Sequence, residues 1–444
     1  MIKLKNGFKK ESLNIKNKED TLLLEIEGIL ERKEITKRKK LNISLAIDIS
    51  GSMSDYIDND NRYPIMHNLA GLLVNKDLEA APFKDSQRKM DLAKEAAINS
   101  IKNMNDGDFV SVIAFDDRAD IIQEAIEISK ENKEKIIDEI KKLKPRNMTD
   151  IHGGWLASIG EVSKNLNSKN LNRVIIITDG LTNYGITNTD NICNDVFSFS
   201  EKEISTSTFG VGKDFNEDLL LGMSKVGNGN FYFIDSEDKF NLLFNEEFDG
   251  LSNIAATNIK LKIKLNKEYS TIKEVMSDLK KENGYYFLPD LINNRKLPML
   301  FKINTKNLIE GQEISIGTIT IKYNNELGEK INLEEDIIVK VSSEEEWCLL
   351  EENTELKIQE LLYMVSKKKM KAREFFEKGD RDMAKNILKD STTILESSNI
   401  QDDRIKNQTN SLNASIIDSE TKSLGIMSKT MHYESYRTST GKEL

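Results

Sequence analysis

Two short runs of apolar residues constrain the fold of this chain more than any other feature of its sequence. Residues 41–47 read LNISLAI and residues 174–178 read VIIIT. Near-continuous apolar runs of this length are typical of strands that are buried on both faces of a parallel sheet. Amphipathic stretches alternate with further apolar runs as far as about residue 251. This alternation predicts the α/β fold class, with a doubly wound, mostly parallel sheet that is covered by helices.

The positions of the elements in this region follow from its periodicity. Strands are predicted at residues 41–47, 109–115, 119–124, 174–178, 205–211 and 230–234. Helices are predicted at residues 90–104, 132–143, 153–166, 191–203 and 216–226. In a sheet of this kind, ligands bind beyond the carboxyl ends of the strands, so polar residues at those ends are candidate site residues.

The regions on either side of the α/β pattern predict a second kind of domain. In residues 252–345 the apolar residues recur at every second position, which is typical of a β-sandwich. Residues 1–40 contain a stretch of the same character at residues 21–30. We therefore predict that residues 1–40 complete the sandwich and that the α/β domain, residues 41–251, is inserted into it.

The carboxyl-terminal part of the chain predicts helices followed by a tail. Residues 346–418 carry apolar residues at helical spacing with a break at Gly379-Asp380, a pattern that predicts a helical hairpin. Residues 419–444 are rich in Ser and Thr, and this composition predicts a flexible tail. The sequence leaves three roles open for the tail: docking onto a partner, phosphorylation, or no role beyond that of a frayed terminus.

The composition disfavours several classes of protein. The chain has 444 residues, with 64 Lys and Arg against 74 Asp and Glu and a formal charge of −10, and this balance argues against general binding to nucleic acid. No apolar run approaches the ~20 residues that a membrane-spanning helix needs. The amino terminus lacks the apolar core of a secretory signal, so we expect a cytoplasmic protein. Cys193 and Cys348 are too few for a disulfide framework, and three histidines are too few for a His-rich metal site.

Oxygen-bearing side chains cluster at the predicted strand ends. The first apolar run is followed by Asp48-Ile49-Ser50-Gly51-Ser52, in which a carboxylate precedes two hydroxyls and Gly51 permits a tight loop. Asp179 directly follows the second apolar run, and Thr149 directly precedes a predicted helix. All of these loops are expected at the same edge of the sheet. We therefore predict a metal site formed by Asp48, Ser50, Ser52, Thr149 and Asp179.

The residue types predict which metal binds. A site that offers only oxygen suits a hard cation, and Mg²⁺ is the first choice for small loops of Asp, Ser and Thr. Mn²⁺ accepts the same ligands, whereas Zn²⁺ prefers His and Cys. Three neutral hydroxyls and two carboxylates leave the cation with affinity for one more anionic oxygen from another molecule.

The pattern DISGSM, the distant Thr149 and the sequence ITDG together resemble the metal-ion-dependent adhesion site of the von Willebrand factor A domain. This family includes integrin-type inserted domains and bacterial intracellular relatives. The resemblance implies that Ser50, Ser52 and Thr149 bind the metal directly and that Asp48 and Asp179 act largely through bound water. It also implies that an Asp or Glu of a protein partner takes the last coordination position.

The resemblance covers about residues 41–251, and the order of domains beyond it is similar to that of vault and inter-alpha-trypsin-inhibitor proteins. The chain departs from the family pattern at residues 54–88, which separate the Ser52 loop from the next helix. Two interpretations of this insertion remain open: its acidic residues cap the metal site, or the segment forms part of the partner-binding face. Asp150 likewise has two open interpretations, as a helix N-cap or as a support of Thr149.

These features favour a non-enzymatic function. We expect an interaction module or scaffold that binds an acidic residue of a protein partner through Mg²⁺, and the resemblance implies ATPase, kinase or phosphatase partners. The sequence contains no GxSxG or HExxH motif. Two alternatives remain open: a metal-dependent hydrolase of the phosphatase type, and a surface adhesin.

Overall fold

Regular secondary structure accounts for most of the computed structural model, which describes residues 1–30, 38–57, 88–277 and 279–442. The predicted insertion at residues 54–88 therefore lies largely outside the described residues. The strands are β1 (Ile2–Gly7), β2 (Ser12–Asn14), β3 (Glu19–Gly28), β4 (Lys40–Asp48), β5 (Phe109–Phe115), β6 (Ala119–Glu127), β7 (Asn170–Thr178), β8 (Ile204–Val211), β9 (Asn228–Ile234), β10 (Ile254–Leu265), β11 (Ser270–Val275), β12 (Lys281–Glu282), β13 (Tyr285–Leu288), β14 (Leu291–Ile292), β15 (Lys296–Thr305), β16 (Glu313–Asn325) and β17 (Lys330–Ser342). The helices are α1 (Lys89–Asn103), α2 (Lys130–Lys142), α3 (Ile151–Lys164), α4 (Thr189–Ser200), α5 (Glu217–Val226), α6 (Glu237–Ser252), α7 (Glu344–Leu349), α8 (Thr354–Glu377), α9 (Arg381–Ser397), α10 (Asp403–Thr421) and α11 (Leu424–Ser439).

These elements form two units. The α/β unit comprises Lys37–Ser252 and Glu420–Lys429, and the sandwich unit comprises Met1–Thr36, Asn253–Ser419 and Thr430–Leu444. The α/β sequence is thus inserted between two parts of the chain that belong to the other unit.

A six-stranded sheet in the order β6-β5-β4-β7-β8-β9 forms the centre of the α/β unit. Strands β4, β5, β7, β8 and β9 pair in parallel, and β6 runs antiparallel to β5. The two apolar runs lie in β4 and β7 at the middle of the sheet, where Leu45, Ile47 and Ile176 are fully buried. The predicted α/β fold class is therefore confirmed.

The strand order brings the ends of β4 and β7 together. After β4 the chain continues to β5 on one side of it, whereas β7 lies on the other side. A ligand binds at such a reversal of strand order, beyond the carboxyl ends of the strands. Ile47 pairs with Ile177, so the residues that follow these two positions leave the sheet side by side.

A buried polar network fixes the other end of β7. Arg173 Nη1 lies 2.6 Å from Glu247 Oε1 on α6, and both side chains are almost fully buried. Ser207 Oγ also donates to Glu247 Oε1 at 2.6 Å, and Tyr232 Oη donates to Oε2 at 2.9 Å. Burial raises the pKa of Glu247, but the Arg173 charge and the hydrogen bonds from Ser207, Asn230 and Arg173 outweigh burial, so the net pKa lies below its usual value. The network thus ties β7, β8 and β9 to the helix that covers them.

The sandwich unit contains two sheets. One has four strands in the order β1-β3-β15-β11, and the other runs β12-β13-β10-β16-β17-β2 with β14 paired to β10. Strand β3 pairs antiparallel with β15, and β2 pairs in parallel with the end of β17. The amino-terminal strands therefore lie in the same two sheets as the strands of residues 254–342. Apolar side chains from both sheets, including Leu24, Phe301 and Ile319, form its core.

The helical region departs from the predicted hairpin. Helices α8 and α9 flank the expected break at Gly379, whose φ is +82°. A further helix, α10, begins after a second break, where Asn399 adopts a φ of +54°. The hairpin prediction missed this break because it contains no Gly or Pro, although Asn also tolerates a left-handed conformation. No helix within the described ranges is both long enough and apolar enough to cross a membrane.

The prediction of a flexible tail at residues 419–444 is wrong. Residues Leu424–Ser439 form helix α11, in which Met427 and Met431 are buried one turn apart and Tyr436 is buried as well. Hydroxyls near its end bond within the helix: Thr438 Oγ1 donates to the Glu434 carbonyl at 2.8 Å, and Ser439 Oγ donates to the Tyr436 carbonyl at 2.9 Å. Ser435 and Thr438 are buried, which disfavours phosphorylation of these two residues.

We expect Glu247→Gln to destabilise the α/β unit by about 3–5 kcal/mol, because it removes the carboxylate charge that lies 2.6 Å from the buried Arg173 guanidinium. Since the pKa of Glu247 is lowered in the folded state, the stability it contributes is present above its unfolded pKa and is lost as pH falls through its folded pKa. Urea unfolding of the full chain at neutral and acidic pH measures both effects. Asp238→Asn, an exposed change on the same helix, is the control, and equal stability of the two variants would contradict the prediction.

Candidate metal centre

Three loops at the carboxyl edge of the α/β sheet supply the candidate site. Strand β4 ends at Asp48 and runs into a 3₁₀ turn at Gly51–Ser54. The loop that precedes α3 approaches this turn closely, since Gly51 N donates to the Asn147 carbonyl at 3.1 Å. A Cβ at Gly51 would lie 3.3 Å from the Arg146 carbonyl oxygen, so glycine allows the two loops to meet. The third loop begins where β7 ends at Thr178.

The two aspartates lie at the ends of the adjacent strands β4 and β7. Asp48 Oδ1 accepts from Ser50 N at 2.7 Å, and its Oδ2 accepts from Thr178 Oγ1 at 2.5 Å. Asp179 Oδ1 accepts from Ser52 Oγ at 2.8 Å, and its Oδ2 lies 2.8 Å from Lys89 Nζ. Both carboxylates are fully buried, so their oxygens are oriented by fixed donors and face little bulk water.

Burial dominates the electrostatics of these aspartates. It raises the pKa of Asp48 to about 7, and the neighbouring Asp179 adds to this effect while hydrogen bonds from Thr178 and Ser50 oppose it. Burial also raises the pKa of Asp179, although the Lys89 charge and the Ser52 hydroxyl oppose the shift. A cation placed beside the two groups would favour their charged forms and lower both pKa values.

The three hydroxyls lie beside these carboxylates. Ser50 Oγ and Ser52 Oγ are 3.2 Å apart. A Cβ built on Gly180 would lie 2.9 Å from Thr149 Oγ1 and 3.5 Å from Asp48 Oδ2. The missing side chain of Gly180 thus leaves room where the Thr149 loop meets the end of β4. All five residues predicted from the sequence are brought to one edge of the sheet, and their role as metal ligands stays a prediction.

Thr149 is held by its backbone. Its N donates to Asn183 Oδ1 at 2.9 Å, and Asn183 N donates back to its carbonyl at 3.0 Å. The next residue, Asp150, accepts from Gly153 N at 2.8 Å and is the N-cap of α3. Of the two interpretations of Asp150, the structure thus confirms the N-cap. Because backbone groups position Thr149, its hydroxyl remains available to a ligand.

The donor set fits Mg²⁺ or Mn²⁺ rather than a softer metal. In residues 1–30, 38–57, 88–277 and 279–442 there is no cluster of three or more His, Cys, Asp or Glu side chains that could hold a metal ion. The candidate centre has two carboxylates and completes its set with hydroxyls, and an all-oxygen set of this kind suits hard cations. The room beside Gly180 and the two buried carboxylates are the features of the structure that support this fit.

Sequence reasoning missed three residues of this centre. Thr178 precedes Asp179 in the apolar run, and its position at a strand end was an available signal. Asn183 lies in the loop that follows, where nothing distinguishes it from neighbouring polar residues. Lys89 follows the insertion and contacts a carboxylate 90 residues away in the chain, so no local pattern reveals it.

Comparison with known proteins identifies the domain that carries the site. The family model of the von Willebrand factor type A domain matches residues 43–181. The structure of a von Willebrand factor type A protein from Catenulispora acidiphila has a TM-score of 0.70 at 15% identity, and the match covers 99% of this chain and 97% of that one. The ArnB paralog VWA2 from Sulfolobus acidocaldarius has a TM-score of 0.57 at 16% identity, with 98% and 99% covered.

The chain therefore contains a von Willebrand factor type A domain, and it shares its fold with these two proteins along nearly its whole length. Two bacterial relatives are similar in sequence. The uncharacterized protein sll0103 of Synechocystis is 24% identical over 387 residues, which cover 83% of this chain and 86% of that protein. YfbK of Escherichia coli is 23% identical over 331 residues, 73% of this chain and 51% of that protein. The aligned region thus spans about half the length of YfbK.

Gly180→Ala tests the geometry of the centre. The added Cβ would lie 2.9 Å from Thr149 Oγ1, so we expect the Thr149 loop to shift and the unfolding free energy to fall by about 1–3 kcal/mol. Mg²⁺ binding should weaken together with stability. Gly160→Ala is the control, because nothing lies within 4 Å of a Cβ there and alanine favours a helix by about 0.5–1 kcal/mol. Thermal unfolding with and without Mg²⁺ measures both variants, and an unchanged response of Gly180→Ala would contradict this geometry.

Proposed function

We propose that this chain is a non-enzymatic interaction module or scaffold whose von Willebrand factor type A domain binds a protein partner through Mg²⁺, with Mn²⁺ as an alternative metal. Asp48, Ser50, Ser52, Thr149 and Asp179 would hold the metal. The observation that carries the proposal is the convergence of these five oxygen-bearing side chains from three loops at the switch point of the sheet. When bound, the metal supplies a positive charge that attracts a carboxylate.

The chain's own residues favour an anionic ligand from outside. The carboxylates of Asp48 and Asp179 are each engaged by hydroxyl or ammonium donors, and the remaining candidate ligands are neutral hydroxyls. A divalent charge in this setting is only partly neutralised, and an Asp or Glu of a partner would complete it. By the family resemblance, ATPases, kinases and phosphatases are the partner classes to test first.

Exposed apolar side chains near the centre support a protein partner. Met148 precedes Thr149, and Leu181 follows Asp179 and Gly180, and both side chains are about half exposed, at 50% and 56%. Tyr184 and Ile186 in the same loop are also exposed. Residues 181–189 contain no charged residue, although 31% of the chain is charged. An apolar, uncharged rim beside a metal suits a protein surface with an acidic residue at its centre.

Affinity capture with and without EDTA tests the metal-dependent function. We expect the native chain to retain partners in Mg²⁺ and to release them in EDTA, whereas Ser50→Ala/Ser52→Ala should retain none because two candidate ligands are missing. Ser163→Ala removes a hydroxyl that bonds only the Ile159 carbonyl within α3 and is the matched control. Partners that stay bound in EDTA and to the double variant would show that recognition lies elsewhere.

A parallel assay separates this function from that of a hydrolase. Phosphatase and peptidase substrates incubated with the full chain in Mg²⁺ or Mn²⁺ should show no turnover. Metal-dependent turnover that is lost in Asp48→Ala would contradict the proposal and favour the hydrolase alternative.

The apolar rim predicts a separate effect on binding. Leu181→Ser/Tyr184→Ser should weaken capture of a metal-dependent partner by about tenfold or more, since exposed aromatic and aliphatic anchors carry much of the energy of interfaces. The same variant should bind Mg²⁺ as the native chain does, because it keeps all five candidate ligands. Leu242→Ser, which alters a side chain that is 67% exposed on α6, should change neither property. Loss of Mg²⁺ binding in the rim variant would show that the loop, rather than its apolar surface, had been damaged.

A further inference from the structure

Lys89 brings a positively charged side chain into the candidate metal centre. It is the first residue of α1, and its side chain is 5% exposed. Its Nζ lies 2.8 Å from Asp179 Oδ2, while Ser52 Oγ donates to Oδ1 of the same carboxylate at 2.8 Å. The Asp179 carboxylate therefore accepts from the Ser52 hydroxyl with one oxygen and from the Lys89 ammonium with the other.

The surrounding backbone holds Lys89 in this position. Its N donates to the Asp55 carbonyl at 3.0 Å, which ties the start of α1 to the residue that follows the 3₁₀ turn. Its side chain passes close to Gly212, where a Cβ would lie 3.0 Å from Lys89 Cε and 3.3 Å from Nζ. Gly212 has a φ of +77°, a conformation that glycine adopts readily. The lysine is thus placed by α1, the turn and the end of β8.

A lysine ammonium acts on a metal centre by charge alone. It has three donors and no lone pair, so it cannot be a ligand of the metal while it is charged. When both carboxylates are ionised, the formal charge of Asp48, Asp179 and Lys89 together is −1. A divalent cation that approaches Asp179 meets either repulsion from this ammonium or the cost of displacing it, and both lower its affinity.

We propose that Lys89 is a built-in cationic competitor that lowers the resting affinity of the centre for divalent metal. This inference rests on the metal site of the proposed function and adds its regulation. The chain alone then binds the metal less tightly, and a carboxylate from a partner contributes a larger share of the total binding energy. Lys89 is a positioning residue for Asp179 and not a ligand.

Calorimetric titration of the full chain with Mg²⁺ and with Mn²⁺ tests the inference. Lys89→Met keeps the length of the side chain and removes its charge, and we expect it to bind both metals about tenfold more tightly or better. Lys89→Arg keeps the charge and should not gain affinity. Lys94→Met, on the same helix and bonded to the Lys141 carbonyl, carries the same change in net charge and should bind metal as the native chain does.

A thermal unfolding series separates competition from a structural role. In EDTA, Lys89→Met should melt below the native chain, because Asp179 is left buried without its counter-ion. Added Mg²⁺ should raise the melting temperature of Lys89→Met by more than it raises that of the native chain. If Lys89 only supports the fold, Mg²⁺ should raise the melting temperature of Lys89→Met by less than it raises that of the native chain, because the variant would bind the metal more weakly.

The outcomes distinguish this inference from the proposed function. Tighter binding by Lys89→Met than by the native chain supports the inference, including the case in which only the variant binds measurably. Equal or weaker binding by Lys89→Met, with clear binding by the native chain, overturns the competitor role and leaves the proposed metal site intact. No binding by any variant overturns both.

Discussion

The parallel pairing of β4 with β7 is the constraint on which the rest of the α/β unit depends. Ile47 and Ile177 are partners in the sheet, so Asp48 and the Thr178-Asp179 pair leave it side by side. The strands consist of apolar residues that suit the centre of the sheet, and the aspartates that follow them are also fully buried. The same pairing that stabilises the core therefore places two buried carboxylates side by side, where their charged forms are costly. For this reason the edge of the sheet favours a bound cation.

That cost is offset by neighbouring groups rather than by solvent. Burial pushes the pKa of Asp48 up to about 7 and raises that of Asp179, so both carboxylates gain from any positive charge brought beside them. Thr178 and Ser52 donate hydrogen bonds, and Lys89 provides a charge. A divalent cation and Lys89 therefore compete for the Asp179 carboxylate. The lysine charge belongs to the chain, whereas the metal can bind and dissociate.

Local patterns in the sequence were enough for most of the fold and for the five candidate ligands, but not for contacts between distant residues. The run VIIIT predicts the end of β7 but not its start at Asn170. The prediction stopped at Val174 because the residue before it, Arg173, is charged, and Arg173 is buried only with the help of its bond to Glu247. This partner lies 74 residues away and leaves no periodic signal. The prediction for residues 419–444 failed for a different reason. It gave more weight to their Ser and Thr content than to the helical spacing of Met427 and Met431, which are buried in the structure. Lys89 belongs to the first kind, because only the folded sheet brings it to Asp179.

The central claim is that the oxygens of Asp48, Ser50, Ser52, Thr149 and Asp179 surround one divalent cation. Crystals of the full chain soaked in Mn²⁺ and measured at the manganese absorption edge test it most directly. The account predicts an anomalous peak between Ser50, Ser52 and Thr149, with ligand distances of about 2.0–2.2 Å, close to those of Mg²⁺ sites. A well-ordered centre without such a peak, or a manganese ion bound only elsewhere on the chain, would contradict it.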